Sequence, residues 1–165
     1  MRVLGIDPGT VNLGYGIVDE EEGVMAMVDC GAVSLSSKIP VEQRLSTLYE
    51  RLGEIVARYQ PDEVAIEEPF VAGNARSALA IGRAQAIAIL AAANRKLPVF
   101  RYLPTQVKQQ VTNYGASSKE QVQEMVRIQL GLAEAPKSND AADALAVAIC
   151  HLHQRHLDQL LAESH

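Results

Sequence analysis

Four acidic residues stand where ordinary surface carboxylates rarely stand. Asp7 closes the apolar run RVLGID (residues 2–7), directly after Leu4 and Ile6, and is followed by Pro-Gly; Glu67 closes a second apolar run, DEVAIE (62–67), after Val64 and Ile66. Both runs read as buried strands, so both acids leave a hydrophobic core at the carboxyl end of a sheet, where open α/β sheets hold their ligands. Asp140 and Asp143 are spaced i, i+3 among alanines, which puts them on one face of a helix able to approach a sheet closely. Carboxylate oxygens without cysteine or a nearby histidine suit hard cations such as Mg²⁺ or Mn²⁺. Two such ions about 3.5–4 Å apart can clamp a phosphodiester, one activating water and the other stabilising the leaving oxygen. Without metal the four charges repel, so at least one pKa should be raised and the metal-free protein should be less well ordered.

Plainer readings stand beside this one. Asp7 can be the first residue of an Asp-Pro-Gly turn, and Asp140 or Asn139 a helix cap. Glu68 can take the inward place of Glu67, although alternation from Val64 and Ile66 disfavours it.

The elements that must position these acids follow from periodicity and turn chemistry. Strands are expected over residues 2–7, 14–19 and 24–35 with short connections, which makes an antiparallel meander. Leu45, Leu48, Leu52, Ile55, Val56 and Tyr59 recur at three and four, predicting an amphipathic helix over 41–59 closed by Gln60-Pro61. A strand over 62–67, an alanine-rich helix capped by Asn74 and running to about Lys96, and a strand over 97–102 complete a parallel half-sheet. Pro104 suits the first turn of a short helix ended by Gly115. Ser117 and Glu120 have capping-box spacing for a helix to about Leu130, and a last helix starts near Ser138. The expected architecture is one α/β domain over residues 1–165 with a five-stranded mixed sheet flanked by helices.

The composition is that of an ordinary folded chain, with 48% hydrophobic and 21% charged residues and a net charge of −5. That sign argues against nucleic acid until its distribution is considered, because residues 70–127 hold eight Lys/Arg against two Asp/Glu. No segment approaches about 20 apolar residues without a charge, and the expectation is a cytoplasmic protein with no membrane partner. Cys30 and Cys150 lack CxxC spacing and read as buried reduced thiols. His151, His153 and His156 read as a solvated face of the terminal helix rather than a metal site. Phe70, in a Pro- and Gly-bounded loop, is either core or an exposed ring able to stack on an unpaired base. The small residues of the helix after Asn74 serve core packing or a share of a dimer interface.

The runs GIDPGT (5–10), GYGIV (14–18), AIEEPF (65–70), NARSALAIGRAQ (74–85), PTQVKQQV (104–111), SSKEQVQ (117–123) and NDAADALAVAICH (139–151) resemble the RuvC family of bacterial Holliday-junction resolvases, in order over about residues 2–153. The tail from about residue 154 matches poorly. The resemblance implies an RNase H-like fold, a homodimer, and Mg²⁺-dependent, paired symmetric nicks in four-way junction DNA during recombination and repair. Two Mg²⁺ per site are expected, with Mn²⁺ able to substitute. By position, Asp7, Glu67, Asp140 and Asp143 match the family's metal-binding catalytic acids. Phe70 matches its stacking aromatic, Lys108 and Lys119 match its DNA-backbone lysines, and Arg76 in the basic block is a further expected DNA contact. The family also implies work with the RuvA and RuvB branch-migration proteins and a preference for short thymine-rich sites. Glu68-Pro69 departs from the pattern by an extra charge and a stiff residue beside Glu67.

Two other classes share features of the chain. Asp7-Pro8-Gly9-Thr10 resembles the first phosphate loop of actin-like ATPases and sugar kinases, which need two such domains around a nucleotide. Gly9 to Gly14 has Walker-loop glycine spacing, but Tyr15 stands where the lysine belongs. A non-catalytic nucleic-acid scaffold, or an RNA-processing nuclease of the same fold, is the other alternative.

Overall fold

The computed structural model describes residues 1–68 and 73–164. Phe70 lies outside the described residues. Three strands, β1 (Arg2–Asp7), β2 (Asn12–Glu21) and β3 (Val24–Ser34), form the antiparallel meander, and β4 (Glu63–Glu67) and β5 (Val99–Tyr102) extend β1 in parallel. The sheet order is β3-β2-β1-β4-β5. This is the mixed RNase H-like sheet expected from the sequence. Between and after the strands come α1 (Val41–Tyr59), α2 (Ala75–Ala93), α3 (Pro104–Thr112), α4 (Lys119–Gln129) and α5 (Asn139–Glu163).

Both faces of the sheet are covered, and alternation along each strand divides the core in two. Leu4, Ile6, Leu13, Ile17, Val64 and Ile66 pack against α1 and α2 with Leu48, Leu52, Ala84, Ala88, Ala91 and Ala92. Val3, Val18, Ala65 and Tyr102 pack on the other face against α3, α4 and α5. Leu4, Ile6, Val64 and Ile66 are almost wholly buried, at 0–1% exposure. At about 25 cal/mol per Å² of apolar area, such side chains are the main favourable contribution to the fold.

Several helix ends follow the expected chemistry. Gln60 closes α1 in a left-handed conformation, its N–H donating to the Val56 carbonyl. Asn74 accepts from the N–H groups of Arg76 and Ser77 at the start of α2. That helix stops at Ala93, earlier than Lys96, and Lys96 itself has a positive φ of 59°. α4 is capped by Ser118, which accepts from Gln121, and not by Ser117 with Glu120. The reason is local: the Ser117 hydroxyl is engaged with the Thr112 hydroxyl and the Tyr114 carbonyl, so the next serine takes the cap.

Among the described residues α2 is the one helix with the length and mean hydropathy of a bilayer span. Its Ala84, Ala88, Ala91 and Ala92 belong to the core, whereas Arg76 and Arg83 are exposed. Leu79 and Leu90 are exposed on the same helix. Cys30 and Cys150 are free thiols, Cys150 buried and Cys30 half-buried.

Candidate active site

The acids are brought together by an unusually close approach of α5 to the sheet. An ideal β-carbon on Gly14 would stand 2.0 Å from the Asp140 carbonyl oxygen, one on Gly5 2.1 Å from the Ala144 carbonyl, and one on Gly16 2.7 Å from Leu145 Cδ2. Only glycines on β1 and β2 allow the first two turns of α5 to lie against the strands with nothing between. Ser138 caps α5 by accepting from the Ala141 N–H at 3.3 Å. Neither Asn139 nor Asp140 is the cap, so the Asp140 carboxylate is not committed to the helix end.

Alternation then selects the acids. Glu67 follows Glu63 and Ala65 on the face toward α5, opposite Val64 and Ile66, and Asp7 follows Val3 and Gly5 on that same face. Glu68 is turned to other company, with Arg101 Nε 3.7 Å from its Oε1. Asp7, Glu67 and Asp143 line one cleft of about 260 Å³, together with Lys108, Lys119, Pro104, Val107, Val122 and Ala146. Asp140 is not among the lining residues; its charge nevertheless acts on Asp7, Asp143 and Lys119.

Electrostatics reflect the crowding. Asp7 is pushed up to about 8, first by burial and then by the charges of Glu67, Asp143 and Asp140, against the opposing pull of Lys119. Glu67 is pushed up to about 7 by burial and by Asp143, with Lys108 and Lys119 opposing. Asp143 is also raised by burial, although its ion pair with Lys119, Nζ to Oδ2 3.2 Å, works the other way. Burial would lower Lys119, but Asp143, Asp140 and Asp7 together raise it. Carboxylates behave in this way when they share a small space and lack a full countercharge.

The two lysines expected on the DNA backbone therefore stand within the acid cleft, from α3 and from the first residue of α4. Arg76 is exposed at the start of α2 and is not among the residues lining the cleft. Among the described residues, no three His, Cys, Asp or Glu side chains form a ready-made ion cage. The donor set still fits hard cations: it is oxygen only, and its repulsion, which raises the pKa values and is opposed by Lys119, is the kind a divalent ion relieves.

The terminal histidines require a correction. His151 is not on a solvated face but completely buried. One ring nitrogen, Nε2, is 2.6 Å from Glu63 Oε2, and the other, Nδ1, is 2.6 Å from the Tyr102 hydroxyl. His153 Nδ1 lies 2.9 Å from the Gln110 carbonyl. The sequence carries a signal for His151: it lies seven residues after Ala144, on the stripe of α5 that faces the sheet. A second unforeseen contact is Arg44, whose Nη1 reaches the Thr10 hydroxyl at 3.0 Å and holds the turn that follows Asp7.

Residues 3–151 match the family model described as crossover junction endodeoxyribonuclease RuvC. A crossover junction endodeoxyribonuclease RuvC of Dehalococcoides mccartyi is 52% identical over 163 residues, covering 99% of this chain and 98% of the relative. A Thermus thermophilus RuvC structure superposes with a TM-score of 0.89 at 37% identity, over 96% of this chain and 97% of that one. T. thermophilus RuvC in complex with Holliday junction substrate gives a TM-score of 0.91 at 36% identity, covering 96% of both chains. With its sheet order, its acid cleft and these likenesses running nearly end to end, the chain belongs to the crossover junction endodeoxyribonuclease RuvC family.

Proposed function

We propose that the chain is a Holliday-junction resolvase whose nicking site is the cleft between Asp7, Glu67 and Asp143, with Asp140 at its margin. The observation that carries the assignment is the convergence of Asp7, Glu67 and Asp143 from β1, β4 and α5 on one cleft, with pKa values raised for want of countercharge. The family membership supports a metal-dependent nuclease acting on four-way junction DNA.

Asp7, Glu67, Asp140 and Asp143 are proposed to hold Mg²⁺, two ions per site, with Mn²⁺ able to replace it. Bound there, such ions would supply Lewis-acid stabilisation of the phosphodiester and activation of the attacking water. Lys108 and Lys119 bring positive charge to the same cleft, where a phosphate must approach a cluster of acids. Lys119 is shared between Asp143 and that role, so it offsets part of the cleft's negative charge before DNA arrives. Val107, Val122 and Ala146 form an apolar wall that limits water around the reacting phosphate. Phe70, between β4 and α2 in the sequence, and Arg76, in the first turn of α2, are proposed as DNA contacts, Phe70 by stacking at the junction point.

The exposed Leu79 and Leu90 among the small residues of α2 fit a homodimer face, and two copies would provide the paired nicks a symmetric junction requires. Action beside RuvA and RuvB, in the cytoplasm, completes the proposal. The deciding experiment incubates the purified protein with a mobile four-way junction and with linear duplex of the same sequence, with and without Mg²⁺. Symmetric nicks in the junction alone, and only with metal, are expected; metal-independent binding without any nick would make the chain a scaffold.

A further inference from the structure

The buried chain Glu63, His151, Tyr102 lies outside the cleft, yet it spans the elements that carry the acids. Glu63 Oε1 is also 3.2 Å from Arg155 Nη2, so this carboxylate accepts from Arg155 and from the His151 Nε2–H. Nδ1 of the ring is then left to accept from the Tyr102 hydroxyl, and every polar atom of the imidazole is satisfied. The Tyr102 hydroxyl is raised by burial and stays a donor. His151 is lowered by burial against the opposing pull of Glu63, consistent with a neutral ring.

The spans on either side match. From Asp143 to His151 is eight residues of helix, about 12 Å at 1.5 Å each. From Glu67 back to Glu63 is four residues of strand, about 13 Å at 3.3 Å each. α5 and β4 thus run in opposite senses, joined by the cleft acids at one end and by the imidazole at the other. Tyr102 pairs directly with Glu67 in the β4–β5 register, and its carbonyl accepts from the Glu68 N–H at 2.8 Å. One ring therefore holds α5 to β4, the strand that carries Glu67, and to β5 beside it. The glycine contacts of β1 and β2 set how close α5 lies, and the His151 hydrogen bonds add directional ties that apolar packing alone does not supply.

We infer that His151 is a positioning residue for the nuclease site, fixing the axial register of α5 so that Asp140 and Asp143 meet Glu67 and Asp7 at a spacing suited to divalent cations. This rests on the reading of the four acids as cation ligands. Groups hydrogen-bonded directly to metal ligands commonly change metal affinity by about 10- to 100-fold when altered, and a tie one step further back is expected at the low end of that range.

The test measures Mn²⁺ binding to the full chain by the loss of the free-ion EPR signal, beside the Mg²⁺ concentration for half-maximal junction nicking. In His151→Gln the amide can take the place of Nε2 and keep the tie to Glu63; in His151→Asn it takes the place of Nδ1 and loses that tie. Tyr102→Phe is the mildest variant and removes the hydroxyl alone. We expect Mn²⁺ affinity and Mg²⁺ half-saturation to weaken by about tenfold in His151→Asn and by about threefold in His151→Gln and Tyr102→Phe, with kcat at saturating Mg²⁺ changed less than the half-saturation value. Asp7→Asn serves as the reference. If it loses Mn²⁺ while folded His151→Asn and Tyr102→Phe bind like the unsubstituted chain, with only melting temperature reduced, the positioning role is overturned. If Asp7→Asn itself binds Mn²⁺ undiminished, the assignment of the acids has failed instead. Should His151→Asn not fold, unchanged Mn²⁺ binding in Tyr102→Phe and His151→Gln overturns the proposal equally.

Discussion

The carbonyl of Asp140 occupies the space a β-carbon on Gly14 would need, 2.0 Å from its ideal position. Neither partner is a flexible side-chain tip, so the conflict cannot be relieved by a rotamer change. Gly14→Ala should push the first turn of α5 off β2, carrying Asp140 and Asp143 with it. Overpacking of this kind costs about 1–3 kcal/mol. Urea denaturation should show that loss, and junction nicking should fall by more than stability accounts for. A variant of ordinary stability and full activity would mean that α5 can seat itself elsewhere.

Asp7→Asn removes a carboxylate that burial and three neighbouring acids push up to about 8. Nicking should be abolished while junction binding is largely kept, because the acid is proposed to hold cations rather than DNA. In EDTA at pH about 8.5, above that value, the variant should melt higher than the unsubstituted chain, since one source of buried repulsion is gone. Gel-shift, nicking and thermal-melt measurements together check this; a lower melting temperature would show that the Asp7 charge is stabilised by something beyond the cleft.

Stability of the metal-free protein should fall as pH rises. With Asp7 near 8 and Glu67 near 7, both above their usual carboxylate values, the folded state holds protons that the unfolded chain has already released. The contribution is complete below about pH 4 and is lost as pH passes through about 7 and 8. His151 has the opposite sign, since its lowered folded value costs stability only as pH drops below about 6.5. Melts in EDTA between pH about 6.5 and 8, below the range where the raised thiols of Cys30 and Cys150 add a loss of the same sign, therefore report mainly the acids and should decline. Mg²⁺ should raise the melting temperature more at the alkaline end; a flat profile without metal would contradict the repulsion.

Lys108→Ala should weaken junction binding and flatten its salt dependence, because about one fewer counterion is released when a lysine no longer neutralises a phosphate. Because Lys108 also opposes the raised pKa of Glu67, the variant should in addition need more alkaline pH or more Mg²⁺ for half-maximal nicking. Binding isotherms at several salt concentrations and a Mg²⁺ titration separate the two effects. An unchanged salt slope would mean that Lys108 does not meet the DNA backbone.

Ser138→Ala deletes the hydroxyl that accepts from the Ala141 N–H at the start of α5. Loss of such a cap costs about 1 kcal/mol, and fraying here should reach Asp140 before it reaches the core. A shift in the denaturation midpoint with a weakened Mn²⁺ affinity is expected.

The strands, the helices and three of the cleft acids are readable in the sequence because each rests on local pattern: apolar runs ending in acid, a three-four repeat in α1, an Asn cap on α2. Glu67 rather than Glu68 lines the cleft, but not by alternation from Val64 and Ile66, whose face Glu68 would share; Glu67 follows Glu63 and Ala65 on the opposite face, which α5 also covers. The burial of His151 is signalled by its place on the sheet-facing stripe of α5 but masked by its polar neighbours, and its partners are not legible at all, since Glu63 and Tyr102 are 88 and 49 residues away. The cap of α4 shifts by one residue because hydrogen bonds within the preceding turn, from Ser117 to Thr112 and Tyr114, compete with helix capping. The placement of Lys108 and Lys119 among the acids is not contained in their spacing, since it depends on how α3 and α4 fold over the sheet edge.

α5 begins at Asn139, its first turns carrying Asp140 and Asp143, and it continues for 25 residues. Aligned peptide dipoles give such a terminus roughly half a unit of positive charge. Unlike Lys119, this charge has no proton to lose and no side chain to swing away, so one part of the field felt by an incoming phosphate is the same at every pH at which the protein is folded.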